Sequence, residues 1–303
     1  MRFVHYQKDQ QTLLGFIQNE QVYAVNDWLK SDYKDLVDFL ENGTAEELTK
    51  LQDPLPFTTT KGMPLSSVQL LSPIDRRRQE ILCVGVNYAA HAVETGRVLT
   101  TEAARQNPPV FFSKRAAYLL GNQAYLTPRF DLDSHLDYEA ELAVIIGKEA
   151  KDVSTETALD YVFGYSVFND FSSRQLQRRH QQWLKGKSLD GYSAMGPWIV
   201  TKDAFDITKP HQVTCKVNGE IRQNASTDEM ITKVPEIIAT LSAGMTLYPG
   251  DIIATGTPAG VALGMEKPAW LKTGDKVECE ISDIGSLTIT IGSPTVNAKG
   301  ENK

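Results

Sequence analysis

The chain has 303 residues and a formal net charge of −7, with "RRRQ" at 76–79 as its densest basic run, so a nucleic-acid partner is not expected. Hydrophobic residues at 41% and charged residues at 23% exclude a disordered or low-complexity chain. No apolar stretch is long enough to span a bilayer, and the opening "MRFVHYQKDQQTLLGFIQNEQVYAV" carries charges where a signal peptide needs an apolar region. No membrane partner and a cytoplasmic location are therefore expected.

Residues 1–52 predict a hairpin-like pair of strands, "RFVHY" and "LLGFIQNEQVYAV", then two short helices in "DYKDLVDFLENG" and "TAEELTKLQ". Gly43 ends the first helix, and Thr44 with Glu47 has the spacing of a capping box for the second. The Pro-, Ser- and Thr-rich stretch that follows, "DPLPFTTTKGMPLSSVQLLSPIDRRR", has the composition of a linker. A small N-terminal domain with its linker is thus expected over 1–75, and a catalytic domain over 76–303.

From "EILCVGVNY" onward the strand signals are dense: "PVFFSK", "AELAVIIG", "VFGYSVFND", "PWIVT", "QVTCKVNGE", "DIIATG" and "KVECEISDIGSLTITI". Only "TETALDYV" and "KVPEIIATLSAGM" have clear helical character. That imbalance, without a regular βαβ alternation, predicts a β-rich α+β fold. Cys83, Cys215 and Cys279 lie far apart in apolar strand-like settings, with neither a disulfide framework nor a thiolate metal spacing, and read as buried reduced thiols.

The run "LDYEAELAVIIG" at 136–147 reads as a buried strand interrupted by Glu139 and Glu141, which share one face because side chains two apart point the same way. Two like charges so close repel, and a buried pair also costs several kcal/mol unless a cation compensates. Either that face is wet or something positive sits on it. Asp170 closes the strand "FGYSVFND" and adds a third carboxylate. Three hard oxygen ligands suit Mg²⁺ or Mn²⁺, whereas softer metals would call for His or Cys. The same acids would also serve as partners of Arg or Lys on a solvated sheet face.

In "GVNYAAHAVETG" a helix after Tyr88 would put His91 and Glu94 on one face, where the carboxylate can orient the imidazole as a general base. The alternative is an inconsequential surface pair. Polar, small residues follow, and the segment 90–107 has the character of a lid. "LKGKS" is not a phosphate-binding loop, because Gln181 stands where its first glycine must be. Lys187 in that run is a candidate cation close to a metal-bound anion, the alternative being an ordinary surface lysine. Thr257, in the glycine-flanked loop "ATGTPAGV", offers a hydroxyl and neighbouring backbone N–H groups to a substrate oxygen.

Taken in order, "NYAAHAVETG", "PVFFSK", "LDYEAELAVIIGKEAKDVS", "GYSVFNDFSSRQLQ", "GKSLDGYSAMGPW", "VNGEIRQNASTDEMI" and "LSAGMTLYPGDIIATGTPAGV" resemble the fumarylacetoacetate hydrolase (FAH) family. Within it the chain is similar to bacterial members with a short N-terminal α+β domain and an insertion before the lysine motif, here "QRRHQQWLKGKS". The resemblance implies a mixed β-roll, usually dimeric, and hence a homodimer. It implies Glu139, Glu141 and Asp170 as ligands of Mg²⁺ or Mn²⁺, a catalytic His91 and Glu94 on a closing lid, and Lys187 near the bound ligand. Thr257 and Lys114 would bind substrate, although Arg115 replaces the proline that usually follows that lysine. "SAMGP" stands where many relatives have "CPMGP" or "CPLGP".

The activity this implies is metal-dependent C–C hydrolysis of an acylpyruvate-like or fumarylacetoacetate-like 2,4-dioxo acid, with water activated by His91 and Glu94. Decarboxylation of oxaloacetate and isomerisation of an unsaturated 2-oxo diacid are the alternatives, and in the last the dyad only moves a proton. A metal-binding scaffold without catalysis is the rival of another class. The intact His91 and Glu94 argue against it.

Overall fold

The computed structural model describes residues 1–52, 61–74, 80–96 and 108–294. Residues 53–60 and 75–78 of the expected linker, the basic run at 76–79, the later part of the expected lid and the polar tail from 295 lie outside the described residues.

Two tight reversals build the N-terminal region. Arg2–Lys8 returns as Gln11–Gln18, which returns in turn as Gln21–Ala24, so "LLGFIQNEQVYAV" is two strands rather than one. The linking residues Asp9, Gln10, Asn19 and Glu20 have φ of 48°, 65°, 50° and 57°. Positive φ at both positions of a two-residue loop is what matches the turn to the twist of its strands. A short helix not expected from the sequence, Val25–Leu29, follows, and then the two expected ones at Leu36–Asn42 and Ala45–Gln52. The capping box forms: Glu47 N–H donates to Thr44 Oγ1 at 3.1 Å, and Thr44 N–H to Glu47 Oε2 at 2.9 Å.

Arg2–Lys8 does not end the sheet. Arg2 pairs with Val200 and Phe3 with Ile199, so the N-terminal strands continue into Ser193–Thr201. Beyond it lie Val162–Asp170, Ala140–Ile146, Ile252–Ala254, Ile81–Gly85 and Val110–Lys114, in an 11-stranded sheet. Its neighbours are antiparallel except for the parallel pair Ile252–Ala254 and Ile81–Gly85. A second sheet of five strands runs Glu220–Ser226, Gln212–Val217, Lys276–Ile281, Gly285–Ile291, Ala124–Leu126. Neither closes on itself. The architecture is the expected strand-rich α+β mixture; the expected domain boundary falls at 75–79, outside the described residues.

The central strands are covered on both faces, and every residue of Ala140–Ile146 and Val162–Asp170 is buried. Leu142, Val144 and Ile146 pack with Val213, Cys215 and Ile289 of the smaller sheet. Ala143 and Ile145 face the other way, toward Phe3, Leu36 and Phe39. Strand alternation then sets which way the charges point: Glu141 shares this second face with Ala143, Asp170 with Phe168, and Lys114 with Phe112. Each charged side chain is thus the end of an apolar row. The three cysteines are buried and reduced, and Cys215 and Cys279 are cross-strand partners with sulfurs 3.8 Å apart. Among the described residues no helix is long and apolar enough to cross a membrane.

Phe3 is fully buried, with ring centroids 5.8 Å from Phe39 and 5.3 Å from Phe163. Phe3→Ala is therefore expected to destabilise the whole chain by about 3–5 kcal/mol in denaturant unfolding. A loss below about 1 kcal/mol would mean that the first strand does not share the core of the main sheet.

Candidate active site

The second core face opens at one end into a cavity of about 230 Å³. Glu139, Glu141, Arg174 and Lys187 line its charged part, and His91 and Thr257 line it too. One carboxylate oxygen each from Glu139, Glu141 and Asp170 lie within 4.8 Å of one another, and all three residues are buried. The expected strand at 136–147 is two pieces. Leu136–Asp137 pairs with Ser172–Ser173, and Ala140–Ile146 joins the main sheet. Glu139 lies in the break, held by its N–H to Asn169 Oδ1 at 3.2 Å and its carbonyl to Asp170 N–H at 3.0 Å.

Cations arrive from three other elements. Lys187, at the end of the short helix Leu184–Lys187, donates to Glu139 Oε2 at 2.6 Å and Asp170 Oδ2 at 2.8 Å. Lys114, completely buried, gives its three protons to Asp170 Oδ1 and to the carbonyls of Phe171 and Tyr192. It stands against the Asp170 carboxylate and is not among the residues lining the cavity. Arg174, in the first turn of Arg174–Arg179, donates from Nε to Asp137 Oδ2 at 2.8 Å. Its Nη2 lies 2.7 Å from Glu139 Oε1, close enough for an ion pair although off hydrogen-bond alignment.

These contacts set the charge states. Burial pushes the Glu139 carboxyl up, but Lys187 and Arg174 beside it outweigh burial and hold it down at about 2. Burial pushes Glu141 up as well, and the neighbouring Asp170 and Glu139 push it further, well above the usual carboxylate range. Burial lowers Lys187, yet Asp170 and Glu139 more than reverse that, whereas for Lys114 burial prevails and the ammonium is held below its ordinary value. Glu141 accepts only the Gly256 N–H, at 2.8 Å, and among the described residues no cation pairs with it. Four buried carboxylates, counting Asp137, thus face three buried cations. A hard divalent cation fits this donor set, supplying the positive charge that Glu141 lacks.

His91 and Glu94 lie on the short helix Ala89–Glu94, with Nδ1 and Oε1 2.6 Å apart. That bond assigns the proton to Nδ1 and leaves Nε2 with its lone pair on a residue that lines the cavity. The helix follows Ile81–Gly85 by a sharp reversal at Val86, whose φ of 58° is strained for a β-branched residue. Asn87 holds the reversal, donating to the carbonyls of Thr255 at 2.8 Å and Thr232 at 3.0 Å.

The loop "ATGTPAGV" ties both groups together. Gly256 N–H goes to Glu141, and Gly260 N–H goes to Glu94 Oε2 at 2.9 Å. The N–H groups expected to meet a substrate oxygen are thus taken by the site's own acids at these two glycines. Thr257 lines the cavity, but its hydroxyl donates to the Ala140 carbonyl at 3.0 Å and accepts from Gln223 Nε2 at 2.7 Å. Sequence reasoning missed Gln223, Arg174 and Asp137. Asp137 accepts from Arg174 and from the N–H groups of Tyr138, Ala262 and Leu263, joining the floor of the cavity to the same loop. The available signal for Arg174 was its position four residues past Asp170.

A Cβ at Gly260 would lie 1.9 Å from the Arg222 carbonyl, at a φ of +105°. Gly219, at +84°, has open space around it. Gly219→Ala should cost about 1 kcal/mol from backbone strain alone, and Gly260→Ala distinctly more, with lost catalysis as Glu94 moves. Equal melting temperatures for the two variants would refute a strap role for the loop.

A profile of the fumarylacetoacetate (FAA) hydrolase C-terminal domain matches residues 80–292. The oxaloacetate tautomerase YisK of Bacillus subtilis strain 168 is 45% identical over 228 residues, covering 75% of this chain and 74% of that protein. The solved fumarylacetoacetate hydrolase of Exiguobacterium antarcticum superposes with a TM-score of 0.84 at 35% identity, over 97% of this chain and 99% of its own. Maleylpyruvate hydrolase from Sphingobium sp. SYK-6, solved with manganese(II) and pyruvate, gives a TM-score of 0.79 at 26% identity, over 97% of this chain and 100% of its own. With a match that takes in every element building the cavity, the chain belongs to the fumarylacetoacetate hydrolase family.

Proposed function

We propose that this protein is a metal-dependent enzyme that moves a proton between the keto and enol forms of a 2-oxo diacid such as oxaloacetate. The observation that carries this reading is the opening of the His91–Glu94 pair onto the same cavity as the Glu139–Glu141–Asp170 cluster. Similarity to an oxaloacetate tautomerase supports the substrate class. Glu139, Glu141 and Asp170 would hold Mg²⁺ or Mn²⁺, with Lys187 as the neighbouring cation. When bound, such a cation supplies Lewis-acid polarisation of the substrate's 2-oxo group.

The chain's own residues do the rest. Glu94 fixes the His91 ring and stabilises it when protonated, as a carboxylate beside an imidazole does. His91 Nε2 takes the proton from C3 as the enol forms, and a proton returns to the 2-oxygen, so no water is consumed. Lys187 and Arg174 keep Glu139 ionised throughout.

Hydrolysis of a C–C bond in a 2,4-dioxo acid is the second reading, favoured by the structural likeness to maleylpyruvate hydrolase. The same His91 Nε2 would then take a proton from water attacking the distal carbonyl. Following oxaloacetate enol decay, acetylpyruvate cleavage and CO₂ release in parallel, with Mg²⁺ and with Mn²⁺, discriminates the readings. Enol decay without cleavage or CO₂ release is the expected outcome; acetylpyruvate cleavage as the faster reaction would reverse the order.

Exhaustive chelation should abolish turnover, and Mg²⁺ or Mn²⁺ should restore it; full activity of the metal-free protein would defeat the proposal. Asp170→Asn should weaken metal binding in a calorimetric titration and remove activity with it. Glu94→Gln and His91→Ala should leave metal affinity near that of the parent while lowering turnover by roughly 10²- to 10⁴-fold. A His91→Ala variant with the parental rate would remove the dyad from the mechanism, whatever the metal does.

A further inference from the structure

The cavity has a second polar region one helical turn from its acidic floor. The helix Arg174–Arg179 starts at Arg174, which is committed to Asp137 and Glu139. Arg178 is four residues on, so it shares that face and lies about 6 Å further along the axis. It lines the cavity, its side chain is exposed, and among the described residues no carboxylate pairs with it. The other lining cations, Arg174 and Lys187, are both held in ion pairs. Arg179 next to it also sits in the last turn, where a cation suits the helix C-terminus, but it is not part of the cavity wall.

Gln181 brings a neutral donor to the same wall. Its φ of 59° is a left-handed turn just beyond the helix, and its N–H donates to the Arg178 carbonyl at 3.3 Å. Trp183 forms an apolar side between this region and the sheet, with its ring edge-on to Phe112 at 5.0 Å. A charged, forked donor above an acidic floor, with apolar sides, suits an elongated anion with a carboxylate at each end.

We infer that Arg178, with Gln181 beside it, is the subsite for the second carboxylate of a 2-oxo diacid, and so the residue that selects diacids over 2-oxo monoacids. The inference rests on the reading of Glu139, Glu141 and Asp170 as the end that receives the 2-oxo acid group. The guanidinium pairs with the distal carboxylate through two parallel N–H donors, and the Gln181 amide donates a further bond.

L-Malate and L-lactate are stable probes that differ only in the distal carboxylate. Calorimetric titration of the Mg²⁺-loaded protein should find malate bound more tightly than lactate. Arg178→Ala should reduce malate affinity by roughly 10- to 100-fold, the usual scale for a hydrogen-bonded charge pair, and leave lactate affinity unchanged. Arg178→Lys should recover part of the loss, and Arg179→Ala should behave as the parent. The KM for oxaloacetate should rise in Arg178→Ala by a similar factor. A malate-to-lactate ratio near one in the parent, or the same ratio in the parent and Arg178→Ala, overturns the subsite. A ratio that collapses in Arg178→Ala, in a protein that does not turn over oxaloacetate, upholds the subsite and refutes the catalytic reading instead.

Discussion

A carboxylate withdrawn from water stays charged only where a cation or several donors reach it, and four such carboxylates meet in one corner of this fold. Asp137, Glu141 and Asp170 come from three strands, and Glu139 from the break between two of them. Their partners Lys114, Arg174 and Lys187 come from a fourth strand and two short helices. The arrangement is mutually required: each cation would be as costly to bury alone as the acid it meets. Glu141 is left over, and its carboxyl is driven up by the company of Asp170 and Glu139. A hard divalent cation fits the site through that uncompensated carboxylate as well as through its three oxygen ligands.

The same economy of backbone positions His91 and Glu94. Val86 reverses the chain at a strained φ before Ala89–Glu94, whose His91 lines the cavity, and the loop containing Gly256 and Gly260 fastens one glycine to Glu141 and the other to Glu94. Asp137 reaches the far side of that loop through Ala262 and Leu263. A displacement of the loop is therefore felt at both the acidic cluster and the dyad. Strain of this kind persists where the surroundings over-determine the conformation, and the bonds from Asn87 to Thr232 and Thr255 provide that constraint.

The chemistry divides along the cavity. The floor carries the carboxylate cluster with its buried cations, the walls of Phe112 and Trp183 are apolar, and His91 lines the same space. The two proposed reactions, proton transfer and hydrolysis, would use the same groups. What separates them is whether His91 Nε2 meets a carbon-bound proton or a water, a matter of substrate shape and cavity hydration rather than of different catalytic residues.

Much of this was legible in the sequence because it depends on short spacings. Glu139 and Glu141 two apart, His91 and Glu94 three apart, Thr44 and Glu47 three apart, and the near-continuous apolar runs of the central strands are local patterns that a sequence displays directly. The family resemblance also resides in contiguous strings, and the family match over 80–292 bears it out. The tertiary structure alone decided which cation meets which acid. Lys114 and Asp170 are 56 residues apart, Arg174 and Asp137 are 37 apart, and Gln223 reaches Thr257 across 34, so no spacing announces them. It also decided that the N-terminal strands extend the catalytic sheet through Phe3 and Ile199, since register between distant strands is set by the packing of both faces at once. Sequence determined the kinds of groups and their local faces; long-range packing determined their partners, because charge compensation in a dry interior depends on distance through space and not along the chain.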